Sequence, residues 1–169
     1  MRLVSIDPGL TGTGVAIWNN GELVLAQVIA VTKYTDHIFR IRKIVEGVER
    51  YTRDASLIIE QPQTYRGRAA KGDANDLIKL ANLVGALSTL SPLVEIALPS
   101  TWKGQAPAEV VEARGRAALT FEELQHVDLS CSKKHQTDVW HAVGLGLWKL
   151  GRVRRLPLTK SNLSATDVK

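Results

Sequence analysis

The chain of 169 residues has only one cysteine, Cys131, and it lacks long hydrophobic runs and internal repeats. A single cysteine cannot form an internal disulfide, and its neighbours do not resemble a set of zinc ligands. No apolar run approaches the length of a membrane span, and charge interrupts the first residues too early for a signal peptide. These absences argue against disulfide-rich secreted and membrane classes, and we expect a cytoplasmic protein.

What the chain does contain is typical of one globular domain. Hydrophobic residues make up 44% and charged residues 23% of the sequence, and this length is enough to bury a substantial core. Periodic patterns continue to about Leu150 and then stop. We therefore predict one domain over residues 1–150 and a basic, flexible C-terminal tail over residues 151–169.

Positive charge is in excess and is clustered. The formal net charge is +5 and the isoelectric point is about 9.5, which favours a polyanionic partner. Basic residues stand near acidic ones, an arrangement that suits phosphate binding around a metal ion. A solvated loop is the less favoured alternative for any single cluster. The clusters contain Arg66, Arg68, Lys71, Lys133, Lys134, Arg152, Arg154 and Arg155.

Hydrophobic periodicity predicts an α/β protein. Strands are predicted at residues 3–7, 14–18, 23–31, 57–60 and 94–98, and Asn19-Asn20-Gly21 is a strong hairpin signal. Helices are predicted at residues 34–53, 75–90, 108–119 and 135–150, and Thr120–Glu123 has the spacing of a capping box. In the first helix, Ile38, Ile41, Val45 and Val48 form the predicted buried stripe. The order of elements predicts a mixed sheet with helices on its faces.

Three acidic residues carry most of the functional signal. Asp7 and Glu60 each end an apolar strand, and Asp138 lies within the last predicted helix. If the fold brings them together, their mutual repulsion is costly unless cations neutralise it, so the pattern predicts a divalent-metal site. His135 precedes Asp138 by three residues and shares its helix face. His141 follows three residues later and is assigned to packing or to an indirect contact with the site.

The glycine-rich segment after Asp7 is not a dinucleotide loop. Gly9, Gly12 and Gly14 do not have the G-x-G-x-x-G spacing, and the segment leads into another strand rather than a helix. We interpret these glycines as a tight turn that leaves room for a bulky ligand beside Asp7. An ordinary Asp-Pro-Gly turn is the alternative.

The ordered set of motifs resembles the RuvC family of Holliday-junction resolvases, within the ribonuclease-H and retroviral-integrase superfamily. The matching segments are Ile6-Asp7-Pro8-Gly9 with Thr11-Gly12-Thr13-Gly14, then Ile59-Glu60-Gln61, Pro99-Ser-Thr-Trp-Lys103, and His135-x-x-Asp138 leading into Ala142. The correspondence spans residues 3 to about 150. Each motif is short, but their order and spacing are specific.

This resemblance implies a ribonuclease-H-like sheet of five strands, three antiparallel followed by two parallel, flanked by helices. It implies a metal-dependent endodeoxyribonuclease that cuts branched DNA symmetrically, leaving 5′-phosphate and 3′-hydroxyl ends. Two Mg²⁺ or Mn²⁺ ions per active site would be held by Asp7, Glu60, His135 and Asp138, and Lys103 would steady a phosphate oxygen. The family works as a homodimer through the helix at residues 75–90.

Departures from the family pattern indicate a divergent or phage-encoded member. His135 stands where many members carry an acid, and Tyr65 is only a candidate for the family's aromatic wedge. A second lysine after Lys103 is missing, and Arg114 or Arg116 is a candidate substitute. The predicted DNA contacts are Tyr65, Arg66, Arg68, Lys71, Lys103, Lys133 and Lys134.

Three other functions compete with this interpretation. A YqgF-like RNA-processing nuclease shares the superfamily, and sugar-kinase or actin-like ATPases also begin with a strand and an Asp-Gly turn, although they normally need two such domains. A non-catalytic branched-DNA-binding module is the third alternative. Clustered acids argue against the last, because phosphate binding alone calls for cations.

Overall fold

A computed structural model describes residues 1–31, 33, 36–63 and 73–154 of the chain. The strands in these residues are β1 (Arg2–Asp7), β2 (Gly12–Asn19), β3 (Glu22–Ala30), β4 (Ala55–Glu60) and β5 (Val94–Ala97). The helices are α1 (His37–Thr52), α2 (Ala74–Ser88), α3 (Pro99–Trp102), α4 (Ala108–Ala118), α5 (Phe121–Leu124) and α6 (Lys133–Lys149). The predicted strands and long helices are all present. The short helix α3 was missed, because no element was predicted between the strand ending at residue 98 and the helix beginning at residue 108.

The five strands form one mixed sheet in the order β3-β2-β1-β4-β5. The pairs β1–β2 and β2–β3 are antiparallel, whereas β1–β4 and β4–β5 are parallel. This arrangement confirms the predicted ribonuclease-H-like sheet. At the outer edge of β3, Ala26 forms a single bridge with Val127. Because β1 and β4 are parallel neighbours, with Ile6 opposite Ile59, the residues that end them leave the same edge of the sheet.

Each face of the sheet is covered by its own helical layer. On one face, α6 packs through Val139, Trp140 and Val143, in the same cluster as Ala16, Trp18 and Ile58 of the sheet. On the other face, α1 and α2 contribute a cluster with the alternate strand residues, including Ile6, Leu57 and Ile59. The alternation of side chains along a strand explains this division.

The buried stripe of α1 differs from the prediction at two positions, because Ile38 is exposed and Ile44, rather than the half-buried Val45, is fully buried. Ile38 is 53% exposed, whereas Ile41, Ile44 and Val48 are buried. Asp36 caps the helix, accepting a hydrogen bond from the backbone N–H of Phe39. Ile38 therefore lies in the first turn, one residue past the helix start, where it does not reach the sheet.

A buried polar contact ties α6 to the sheet. The hydroxyl of Ser5 donates to the carbonyl of Ala142 at 2.8 Å, and the indole N–H of Trp18 donates to the same hydroxyl at 3.0 Å. A Cβ at position 146 would overlap the Trp18 ring and the Ser5 hydroxyl, so Gly146 permits this close approach. The helix that carries His135 and Asp138 is thereby fixed against β1 and β2.

The end of the described chain is anchored by Glu123. This carboxylate is 5% exposed and accepts two hydrogen bonds from Arg152, at 2.6 and 2.7 Å, and one from the backbone of Leu23 at 2.9 Å. It also completes the predicted capping box with Thr120. The Arg152 hydrogen bonds lower the pKa of Glu123 to about 2. Residues 155–169, most of the predicted tail, lie outside the described residues.

Glu123→Gln is expected to destabilise the protein at neutral pH by roughly 2 kcal/mol, allowing for solvent screening of the partly exposed Arg152. Because folding lowers this pKa, the stabilisation is complete above the ordinary value of 4.5 and is lost as pH falls towards about 2. Urea unfolding of the variant and the wild type at several pH values tests this. Glu122→Gln, on the exposed side of the same helix, is the control. A stability gap that did not narrow between pH 6 and pH 2.5 would contradict the assignment.

No helix within the described ranges is both long and apolar enough to cross a membrane.

Candidate active site

Two predicted acidic residues meet at the carboxyl edge of the parallel strands. Asp7 ends β1 and is 9% exposed, and Glu60 ends β4 with a side chain that is 12% exposed. Their separation of 53 residues in sequence is overcome because β1 and β4 are hydrogen-bonded neighbours. The strand ends therefore supply a rigid base for both carboxylates.

Glu60 is held by two donors that follow β5. The indole N–H of Trp102 donates to Glu60 Oε2 at 2.7 Å, and the ammonium group of Lys103 donates to Oε1 at 2.9 Å. Trp102 is the last residue of α3, and Lys103 is its C-cap. Since β5 is the parallel neighbour of β4, the short helix places both side chains directly beside the end of β4.

Helix α6 supplies the third acid and two histidines. Nδ1 of His135 lies 3.0 Å from Asp138 Oδ2, as the spacing of three residues predicts. Nδ1 of His141, one turn further along, lies 3.3 Å from Asp7 Oδ2 and 3.3 Å from Lys103 Nζ. That nitrogen donates to Asp7 when it carries a hydrogen and accepts from Lys103 when it does not.

The glycines of the β1–β2 segment admit α6. A Cβ at position 12 would overlap the imidazole of His135, and a Cβ at position 14 would overlap the backbone carbonyl of Asp138. The prediction that these glycines leave room for a bulky ligand beside Asp7 is therefore wrong at Gly12 and Gly14, where α6 fills the space. Their small size brings His135 and Asp138 close to β2.

The three carboxylates interact electrostatically through Asp7. Burial raises the pKa of Glu60, and the charge of Asp7 raises it further, against the opposing effect of Lys103. Burial also raises the pKa of Asp138; the hydrogen bond with His135 opposes this rise, and the charge of Asp7 adds to it. Asp7 therefore lies close enough to disfavour ionisation of both other acids, which is the repulsion that a divalent cation relieves.

The donor chemistry fits a hard divalent cation, although the side chains are not arranged around one. Within the described parts of the chain, no three His, Cys, Asp or Glu side chains form a group that could enclose an ion as they stand. The donors are carboxylate oxygens, which Mg²⁺ prefers, and an imidazole, which Mn²⁺ accepts. In this arrangement the ammonium group of Lys103 partly neutralises Glu60. The assignment of Asp7, Glu60, His135 and Asp138 as metal ligands remains a prediction.

The predicted DNA-contact residues fall into two groups. Lys133 and Lys134 are exposed at the start of α6, and Lys134 Nζ lies 3.5 Å from the hydroxyl of Thr11. Both therefore lie in the first turn of α6, directly before His135 in the sequence. Tyr65, Arg66, Arg68 and Lys71 lie outside the described residues.

The two candidate substitutes for a second lysine differ in position. Arg116 pairs with Glu112 and packs over the Trp140 ring, which commits it to the surface of α4. Arg114 lines a small cavity together with Trp102 and Lys103. Arg114 is therefore the better placed of the two near the acidic edge.

Two residues that contact the acids were not among the catalytic or metal-binding residues predicted from the sequence. Trp102 precedes Lys103, but nothing in its sequence neighbours indicated a contact with Glu60. His141 shares a helix face with Asp138, and it was predicted to make either a packing contact or an indirect contact with the site. The structure places its ring against Asp7 and Lys103.

The sheet order and the acidic edge define a ribonuclease-H-like domain. Within this class, the chain is similar to the crossover junction endodeoxyribonuclease RuvC of Cutibacterium acnes, with 27% identity over 92% of this chain and 82% of that protein. No protein-family profile matches the sequence. The sequence match confirms the predicted resemblance to the RuvC family.

Solved structures share the fold at low sequence identity. Thermus thermophilus RuvC in complex with Holliday junction substrate is 18% identical, with a TM-score of 0.58 over 90% of this chain and 95% of that chain. The fowlpox virus resolvase in complex with Holliday junction DNA is also 18% identical, with a TM-score of 0.56 over 89% of this chain and 97% of that chain. Both likenesses cover nearly the whole domain.

Proposed function

We propose that this protein is a metal-dependent endodeoxyribonuclease that resolves Holliday junctions or related branched DNA. The observation that supports this most strongly is the meeting of Asp7 and Glu60 on neighbouring parallel strands, with Asp138 brought to the same edge by α6. Such an acidic edge suits a metal-dependent hydrolase more than a site that only binds phosphates.

The comparisons favour branched DNA as the substrate. The bacterial relative is named as a crossover junction endodeoxyribonuclease, and the two DNA-bound structures contain Holliday junctions. The exposed Lys133 and Lys134, together with the net charge of +5, are the features of this chain that suit a polyanion. Tyr65, Arg66, Arg68 and Lys71 are proposed as further contacts from the sequence alone.

Asp7, Glu60 and Asp138, with His135, would hold Mg²⁺ or Mn²⁺, and we propose two ions per site. Bound ions would supply Lewis acidity at the scissile phosphate and lower the pKa of water. The products would carry 5′-phosphate and 3′-hydroxyl ends.

The chain's own residues orient the reacting groups. Lys103, placed at the acidic edge by Glu60 and His141, would steady a phosphate oxygen of the substrate. Nδ1 of His135 lies against Asp138, so Nε2 is the ring nitrogen that would bind an ion or accept a proton.

We also propose a homodimer, because symmetric cutting of a junction calls for two active sites related by a two-fold axis. The sequence left the stripe of α2 open to two interpretations, the partner interface or the chain's own sheet, for Leu77, Leu80, Val84 and Leu87. Val84 and Leu87 are buried in the core of their own domain, which supports the second interpretation for these two residues. The opposite side of α2 is exposed, with Ile78 at 60% and open space around Gly85. That side is the surface we assign to the partner subunit. A bacterial cytoplasmic location, including a phage-encoded source, completes the proposal.

The proposal is tested on a supercoiled plasmid that extrudes a cruciform. Paired cuts across the junction are expected to give linear DNA with Mg²⁺ or Mn²⁺ and no product in EDTA. Ligation of the product without further treatment would establish 5′-phosphate and 3′-hydroxyl ends. Open-circular product alone would contradict paired cutting, and equal cutting of a plasmid without a cruciform would contradict junction selectivity. Preferential cleavage of a competing structured RNA would favour the RNA-processing alternative.

A further inference from the structure

Trp102 makes a contact that a purely structural tryptophan does not need. Its ring is 5% exposed, and its only polar atom donates to Glu60 Oε2 at 2.7 Å. A buried carboxylate requires donors to compensate for lost water, and a hydrogen bond to a charged acceptor is among the stronger ones in proteins. The indole therefore fixes which way the Glu60 carboxylate turns.

The ring itself is held on several sides. A Cβ at position 144 would lie 2.9 Å from Trp102 Cζ3 and 3.0 Å from a methyl of Val111, so Gly144 of α6 admits the indole. The imidazole of His141 meets the Trp102 ring edge-on, with centroids 6.3 Å apart and planes at 83°. Because α6 and α3 pack together here, the position of the indole N–H is set by two elements and not by a free side chain.

The two carboxylate oxygens of Glu60 consequently have different roles. Oε2 is occupied by an indole that cannot leave without disturbing the core. Oε1 meets the ammonium group of Lys103, a single positive charge on a flexible side chain. The ammonium group at Oε1 is a cation, so a divalent cation can take its place. The indole N–H at Oε2 is neutral, so a cation would not be a like-for-like replacement there.

We propose that Trp102 is a positioning residue for Glu60, and that its indole N–H holds Oε2 so that Oε1 is the oxygen presented to a divalent cation. This inference rests on the proposed metal-dependent function. It adds that Trp102, which is itself neither a proposed metal ligand nor a proposed DNA contact, holds the proposed ligand Glu60 in position.

Trp102→Phe removes the donor and keeps an aromatic ring. Loss of a residue that orients a ligand typically weakens metal affinity 10- to 100-fold, and we expect a loss of about 10-fold in Mn²⁺ affinity. Isothermal titration calorimetry with Mn²⁺ alone, without DNA, measures this. Excess Mn²⁺ is expected to restore most of the cleavage rate, a pattern that general loss of folding would not produce.

Trp140→Phe is the matched control. Trp140 is 1% exposed, and its indole N–H has no hydrogen-bond partner among the described residues. The same substitution there removes a buried N–H without breaking a contact to an acid. Its Mn²⁺ affinity is expected to equal that of the wild type.

Glu60→Gln separates failure of this inference from failure of the proposed function. If the wild type binds Mn²⁺ no better than Glu60→Gln, the metal site itself is wrong. If the wild type binds through Glu60 and Trp102→Phe binds equally well, only the positioning role is overturned.

If Trp102→Phe does not fold, nuclear magnetic resonance of proteins that keep all their tryptophans tests the same inference. The chain has four tryptophans, so the ¹H–¹⁵N spectrum contains four indole signals. One of them is expected to move in Glu60→Gln, and the same signal is expected to move when Mg²⁺ is added to the wild type. If no indole signal responded to either change, the inference would be refuted.

Discussion

Asp7→Asn is expected to abolish DNA cleavage and to make the metal-free protein more stable. Asp7 is the acid whose charge reaches both Glu60 and Asp138, so its loss removes the centre of the proposed ligand set. A metal ion contributes several kcal/mol to stabilising the transition state, which corresponds to a rate loss of roughly 10³-fold or more. The same substitution relieves like-charge repulsion at a buried edge, which is expected to add about 1 kcal/mol to the free energy of unfolding.

The sign of the stability change follows from the pKa shifts. Folding raises the pKa of both Glu60 and Asp138, so their ionisation destabilises the folded state as pH rises above the ordinary values. The increase in the free energy of unfolding caused by Asp7→Asn is therefore expected at neutral pH. It should disappear at acid pH, where Glu60 and Asp138 are protonated.

Initial rates of junction cleavage and thermal unfolding in EDTA measure the two effects. Asp54→Asn is the control, because Asp54 is exposed just before β4, at the other end of that strand from Glu60. Junction binding in EDTA should persist in both variants. Wild-type cleavage by Asp7→Asn with Mg²⁺ would overturn the proposed active site.

Gly14→Ala is expected to damage folding and activity together. A Cβ at this position would overlap the backbone carbonyl of Asp138, and neither β2 nor α6 has a flexible side chain there to move aside. Displacing α6 from the sheet is expected to cost about 3 kcal/mol or more, which is at the upper end for an added methyl group in a packed core. Cleavage should fall even at temperatures where the variant remains folded, because Asp138 moves away from Asp7.

Gly85→Ala is the matched control for folding, measured at protein concentrations at which the chain is monomeric, because Gly85 lies on the surface assigned to the partner subunit. The space around Gly85 is open within the described structure, so alanine there should stabilise α2 by up to about 1 kcal/mol through helix propensity. Urea unfolding and circular dichroism report both changes. If Gly14→Ala unfolded at the same urea concentration as the wild type, the close approach of β2 and α6 would be wrong.

The sheet and the acidic edge were predictable because their signals are local. Leu57–Ile59 form a short apolar run that ends at Glu60, and Leu3–Ile6 lead in the same way to Asp7. Such runs indicate buried strands, and an acid at the end of a buried strand stands at the sheet edge. His135 and Asp138 were paired by their helical spacing alone, and the structure brings Nδ1 and Oδ2 to 3.0 Å.

The contacts that the sequence did not reveal join elements distant in the chain. Trp102 and Glu60 are 42 residues apart, and no periodicity links a short helix after β5 to the end of β4. Gly12 and Gly14 were associated with open space, but the element that fills it begins more than 100 residues later. Helix and strand propensities predict the structure of single segments, whereas these contacts depend on which segments pack against each other.

The bridge between Ala26 and Val127 affects how the protein behaves at high concentration. At this point the backbone N–H of Ala26 donates to the carbonyl of His126, and the N–H of Asp128 donates to the carbonyl of Ala26, both at 2.8 Å. Part of the outer edge of β3 is therefore already hydrogen-bonded within the chain. The other edge strand, β5, is only four residues long. Strand edges of this kind are poor templates for fibril growth, so concentrated solutions should resist amyloid-like aggregation.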